Sequence, residues 1–309
     1  MLAAMVKLIL DTDIGTDVDD ALAVAFAVRH PGIDLLAVTT VAGDTVRRAR
    51  IARKLLGLAG RSDVEVAAGE RGEQSQAHRP SEAGHEDAML GAAPNDAEIS
   101  ARDAVTLLLD ACESGDIEVA TVGMQSNIAA ALGRDPGFAE SVARLCVMGG
   151  VFAPVTFLGN ALPPSIDHNL NVDQGASLRA LNAGFNILYV PADVTMGTWL
   201  LSEQVDELRR GDALCQELAR QIDIWSMRLH GGQRGAVPAE YACLLHDPLA
   251  VACMVDRRFV TSMRARVTVA MHQGHVRTFI DPAAGHEAEV ITSVDWQAFG
   301  RFWLETVLR

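Results

Sequence analysis

The sequence has no apolar run of membrane-spanning length, no cysteine pair at CxxC spacing, and far fewer basic than acidic residues. Each shortage excludes a class of protein. Without a stretch of roughly 20 apolar residues, no helix is expected to cross a bilayer. Only Met1 to Met5 precede the first apolar strand pattern, too few for a signal peptide, so the cytoplasm is the expected compartment. The five cysteines, Cys112, Cys146, Cys215, Cys243 and Cys253, are odd in number and mostly embedded in apolar stretches. That predicts buried thiols in a reducing compartment rather than disulfides. With 26 Lys and Arg against 40 Asp and Glu, the net charge of −14 argues against a nucleic-acid or anionic-membrane surface. No internal repeat or low-complexity linker divides the chain. What is present is ample core material: 49% of 309 residues are apolar, enough for a self-sufficient enzyme.

Short β-rich apolar runs at 6–10, 35–41, 64–68, 117–121, 145–148 and 187–190 alternate with helical patterns at 20–29, 45–58, 101–112, 127–132, 138–143 and 174–183. Such alternation predicts an α/β fold, a mostly parallel central sheet flanked by helices on both faces. Ligands of such sheets bind at the carboxyl ends of the strands. Residues 69–95, rich in Gly, Ser, Glu and His, read as a long loop over that edge. Beyond residue 202 the pattern is more helical (203–209, 213–229, 248–254), followed by a hairpin at 264–271 and 275–280 and a closing helix at 296–308. The expectation is one domain over residues 1–309, with a helical cover around 213–241.

The densest chemical signal is Asp11-Thr12-Asp13-Ile14-Gly15-Thr16-Asp17-Val18-Asp19-Asp20, five carboxylates between a strand and a helix. Carboxylates this close raise one another's pKa, and a hard cation held by oxygen ligands is the direct remedy. An EF-hand loop is excluded, because its twelfth position from Asp11 falls on Leu22 instead of a glutamate. An aspartyl phosphatase with Asp11 as nucleophile is an alternative, and Asp17 or Asp19 capping the next helix is the structural one. Capping cannot account for five acids.

Other segments are individually weak. In His246-Asp247-Pro248, Asp247 reads by itself as a helix N-cap before a first-turn proline. A histidine there, with a pKa near neutrality, also suits proton transfer. Segment 120–127, the run Val147-Met148-Gly149-Gly150, and 167–173 each read alone as a turn, a cap or a solvated loop. All of them fall at strand ends on the side of the acidic turn.

Together, and in this order, these segments resemble the inosine–uridine-preferring nucleoside hydrolase family. The most specific parts are the Asp-rich turn, Thr40-Val41-Ala42-Gly43-Asp44, Ser126-Asn127-Ile128-Ala129, Val147-Met148-Gly149-Gly150 and His246-Asp247-Pro248. The resemblance implies a Ca²⁺-dependent hydrolase that splits ribonucleosides into ribose and a free base, working as a homodimer or homotetramer. It implies metal ligation by Asp13, Asp20, the Val122 carbonyl and Asp247, with Asp13 as general base and His246 as proton donor to the leaving base. Asp19, Asp167, Asn169, Asp247 and Asn160 are implied as ribose contacts, Met148 as the residue beneath the sugar, and His85 as a neighbour of the base. Four departures mark a divergent subgroup. Ile14 replaces the usual proline and two extra residues precede Asp19-Asp20, so Asp17 competes with Asp19 for one ribose contact. Asp44 stands at a substrate position where asparagine is usual, Asp167 where glutamate is usual, and Glu86 follows His85 in place of glycine. A non-catalytic metal- and ribose-binding protein is the further alternative these changes leave open.

Overall fold

The structure, a computed structural model, describes residues 5–72, 85–91, 98–231 and 237–309, without the side chains of 228–231. Much of the expected loop at 69–95 and part of the cover at 213–241 therefore lie outside the described residues. The strands are β1 (Val6–Thr12), β2 (Ile33–Thr40), β3 (Glu65–Ala68), β4 (Glu118–Thr121), β5 (Arg144–Met148), β6 (Val155–Phe157), β7 (Asn160–Leu162), β8 (Ile187–Val190), β9 (Trp199–Leu201), β10 (Tyr241–Leu244), β11 (Val260–His272), β12 (His275–Ile280) and β13 (His286–Val294). Nine of them form one sheet in the order β12-β11-β13-β8-β5-β4-β1-β2-β3. From β3 to β13 every pairing in that order is parallel, and β11 alone runs against its neighbours.

The order of the strands decides where a ligand belongs. The chain runs from β1 outward to β2 and β3, then returns to place β4 on the other side of β1. At such a reversal a ligand is expected at the carboxyl ends of the two strands, here β1 and β4. Alternate residues of these strands feed two core layers, as a period of two requires. Leu8 and Leu10 pack in one layer with Phe26, Leu249 and Trp303, while Ile9 packs in the other with Leu108 and Ile128. The Asp19–Arg29 helix is buried from Asp19 through Ala27, sheathed by the sheet and by the helices His246–Ala252 and Trp296–Val307. The last of these is pinned by the Trp303 indole, which donates to the Leu22 carbonyl at 3.2 Å.

The six expected strands and the parallel sheet are present, and the 45–58 helix has the expected ends. Strand β13 is the main addition. His286-Glu287-Ala288-Glu289 hides it behind charge, yet it sits between β8 and β11 and widens the sheet. All five cysteines are buried and free, as their apolar settings predicted.

Candidate active site

Strand β1 delivers the acids because its backbone pairing continues to its last residue. Asp11 pairs with Thr121 of β4, and Thr12 with Thr40 of β2. Past Thr12 the chain turns through residues 13–18 into the Asp19–Arg29 helix, and the carboxylates of Asp13, Asp19 and Asp20 are all buried. Val18, not an acid, occupies the N-cap position and no side chain caps the helix, so the capping reading of Asp17 and Asp19 fails. It fails for Asp247 as well. The second helix starts at His246 after an N-cap at Leu245, again with no side-chain cap, and Asp247 is buried in its first turn.

One oxygen from each of Asp17, Asp19 and Asp20 lies within 4.8 Å of the others. Asp247, from the far end of the sequence, feels the charges of Asp20, Asp17 and Asp13. Burial first, then this mutual repulsion, raises Asp19, Asp20 and Asp247 well above the ordinary carboxylate range. Burial also raises Asp13, opposed by the positive charge of Arg48 and by His168. Thr12 Oγ1 donates to Asp20 Oδ1 and fixes that carboxylate.

The carboxyl end of β4 closes the other side. Gly123 leaves room for Asp13: a Cβ there would stand 2.8 Å from Asp13 Oδ1. The Val122 carbonyl accepts from Asn169 Nδ2 at 2.6 Å, and the same amide donates to the Met148 carbonyl at 3.2 Å and contacts its sulfur at 3.3 Å. Residues from β4, β5 and the His168–Val172 helix thus meet through one amide. Asp167 is buried as the N-cap of that helix, with Oδ1 accepting from Leu170 N at 3.2 Å and Oδ2 from Gly150 N. Burial raises its pKa and these backbone bonds lower it.

The histidines approach from two further segments. His246 Nδ1 lies 2.7 Å from Thr195 Oγ1, which orients the ring. His85 precedes the short Glu86–Leu90 helix; its amide donates to the Gly15 carbonyl at 3.0 Å, and its ring meets the edge of Trp225 with centroids 6.0 Å apart. Two expected ribose contacts are occupied otherwise. Asp44 is exposed and caps the Thr45–Leu58 helix through Arg47 N at 3.0 Å, and Asn160 is exposed at the start of β7, bonded to Phe157 and Leu158 carbonyls. Of the aromatic residues, Trp199 and Tyr241 pack on each other at 4.7 Å in a small cluster with Phe157 and Trp296.

The grouped oxygen donors of Asp17, Asp19 and Asp20 fit a hard cation, with no thiolate among them. The site does not fit an aspartyl phosphatase. Asp11 is fully buried, with Oδ1 accepting from Thr39 Oγ1 at 2.6 Å and from Asn127 Nδ2 at 2.7 Å, so it cannot meet a phosphate as nucleophile. Two residues escape a reading of the sequence. His168 acts on the charge of Asp13, and Arg48 is buried against the acidic turn. Arg48 sits in an Arg-rich helical stretch, and only its (i, i+3) and (i, i+4) relation to buried Thr45, Ile51 and Ala52 hints that it faces inward.

A family model described as inosine-uridine preferring nucleoside hydrolase matches residues 8–301. A probable uridine nucleosidase 2 of Oryza sativa subsp. japonica is 29% identical over 278 residues, covering 85% of this chain and 78% of the relative. The inosine-uridine preferring nucleoside hydrolase of Crithidia fasciculata is 26% identical over 320 residues, covering 98% of each chain. A solved structure of a purine-preferring ribonucleoside hydrolase from Gardnerella vaginalis superposes with a TM-score of 0.82 at 25% identity, covering 97% of this chain and 98% of that one. The acidic turn, its distant carboxylate partner and the strand crossover therefore sit within a known lineage: the chain belongs to the inosine-uridine preferring nucleoside hydrolase family, and is a hydrolase acting on N-glycosyl compounds.

Proposed function

We propose that this protein hydrolyses the N-glycosidic bond of ribonucleosides at the carboxyl ends of β1 and β4, with Ca²⁺ as its resident cation. The observation that carries the reading is the close group of Asp17, Asp19 and Asp20, with buried Asp13 and, from the far end of the sequence, buried Asp247 near enough for their charges to interact. Asp13, Asp20, Asp247 and the Val122 carbonyl would hold the ion. When bound, the cation supplies Lewis acidity toward water and positive charge toward the ribose hydroxyls. Calcium is favoured over magnesium because it accepts more oxygen ligands in looser geometry, which suits a crowded carboxylate set.

The residues of the chain do the remainder. Asp13 takes a proton from the attacking water as the C–N bond lengthens and the sugar gains oxocarbenium character. Asp19, Asp167, Asn169 and Asp247 hold ribose hydroxyls, and Met148 lies under the sugar. Asn169 is well suited to this, since its contacts with Val122 and Met148 already fix its amide. His246, oriented by Thr195, protonates the departing base, and His85 with Trp225 borders that base. Asp44 and Asn160 act from the rim. The helix Ala213–Gly231, which carries Trp225, is the proposed cover of a single domain. We extend the reading to a homodimer or homotetramer in the cytoplasm, on the family resemblance and the buried free thiols.

The test is reducing-sugar release from inosine, uridine, cytidine and adenosine, with and without a chelator. Release that stops on chelation and returns with Ca²⁺ is expected. Retained ribose binding with no sugar from any nucleoside would instead favour a non-catalytic binder.

A further inference from the structure

Arg48 lies beside the carboxylate set and binds several segments at once. It is buried, and its guanidinium makes four hydrogen bonds and one ion pair. Nε donates to the Ala42 carbonyl at 2.8 Å. Nη1 donates to the carbonyls of Asp13 and Ile14, the latter at 2.8 Å. Nη2 donates to Thr16 Oγ1 at 3.0 Å and pairs with Glu86 Oε1 at 3.3 Å. Three separate segments converge on this one guanidinium: the acidic turn after β1, the turn after β2, and the helix that follows His85.

The segments it joins are ones that need holding. Ala42 has a φ of 74°, a left-handed conformation that a residue with a Cβ adopts only at a cost. Gly15 has a φ of 114°, and a Cβ there would stand 2.8 Å from Glu86 Cγ, so the turn and the His85 segment touch with no space to spare. The Gly15 carbonyl also receives the His85 amide. Arg48 is, in addition, a positive charge that acts on both Asp13 and Asp20.

We infer that Arg48 is a positioning residue: with Glu86 it clamps the enlarged acidic turn to the His85 segment, so that the cation site and the base side of the pocket form one unit. Arg48 is engaged through backbone carbonyls, Thr16 and Glu86, and acts through them. The longer turn and the glutamate after His85, two departures from the family pattern, thereby become parts of one device. The inference rests on the nucleoside-hydrolase reading only in placing a nucleoside base beside His85. A lysine cannot replace the clamp, because three donors on a flexible stem cannot reproduce four hydrogen bonds and an ion pair arranged around a planar fork.

The experiment compares wild type, Arg48→Lys and Glu86→Gln by hydrogen exchange of the His85 amide, by Ca²⁺ titration without nucleoside, and by steady-state kinetics. Arg48→Lys is expected to speed His85 exchange and to weaken Ca²⁺ binding, each roughly tenfold. Glu86→Gln is expected to speed the same exchange, to leave Ca²⁺ affinity within about twofold, and to raise KM more than it lowers kcat. Exchange of the His85 amide unchanged in both variants overturns the inference, whatever the kinetics. If wild type binds no Ca²⁺, the metal reading fails, and the exchange result still decides the clamp. Should Arg48→Lys not fold, Glu86→Gln alone decides by the same readout.

Discussion

Replacing Gly123 by alanine tests whether the position of Asp13 matters. The added Cβ would lie 2.8 Å from Asp13 Oδ1 and 3.0 Å from both the Asp13 amide nitrogen and Val41 Cγ1. Ordinary contact begins at 3.4 Å, so the carboxylate must retreat by about 0.6 Å, and the amide nitrogen leaves it little backbone freedom in which to do so. Overpacking of this kind costs about 1–3 kcal/mol of stability. Displacement of a catalytic group by about 1 Å costs on the order of 100-fold in rate, so a shift of this size predicts a roughly tenfold or greater loss of kcat. The assay is ribose release under saturating nucleoside, paired with a thermal melt to confirm folding. If Gly123→Ala keeps wild-type kcat and Ca²⁺ affinity, the placement of Asp13 beside the Val122 turn is not what drives turnover.

Three other expectations follow from the same geometry. Asp13→Asn should lower kcat by roughly 10²- to 10⁴-fold while Ca²⁺ still binds, more weakly; wild-type turnover in that variant would remove Asp13 as the base. His246→Ala should hurt nucleosides with poor leaving bases far more than an activated nitrophenyl riboside, and an equal loss on both would contradict its role as proton donor. Glu217, on the proposed cover helix, predicts an acid transition separate from the carboxylate cluster. Burial raises its pKa, but hydrogen bonds from Arg220, Gln221 and Lys54 outweigh this and hold it at about 2. Because that lies below the ordinary 4.5, its contribution is intact above pH 4.5 and is lost as pH falls toward 2. After allowance for solvent screening, Glu217→Gln should remove on the order of 1–2 kcal/mol of stability at pH 6 and flatten the pH dependence of the melt between pH 4.5 and 2.

The sequence made the strands legible because buried parallel strands are uninterrupted apolar runs, and the acidic turn legible because five carboxylates in ten residues have no bland explanation. Strand β13 was not legible: its exposed positions carry His286, Glu287 and Ser293, which disguise the alternation. The apparent caps misled for a related reason. Local spacing cannot tell a carboxylate that turns back on its own helix from one that, like Asp247, points across the molecule. At Asp44 the resemblance names a substrate position, and the fold adds a helix cap that the sequence reading did not include. Arg48 shows the limit most clearly. Its partners lie six residues before it, 32–35 residues before it and at Glu86, so only the folded chain brings its five partners together.

The central claim is that carboxylates from both ends of the polypeptide share one divalent cation. Calorimetric titration of metal-free protein with Ca²⁺, for wild type, Asp20→Asn and Asp247→Asn, tests it most directly. One site per chain is predicted, weakened by at least tenfold in each variant separately. Binding that survives unchanged in Asp247→Asn, or no binding to wild type at all, would contradict it.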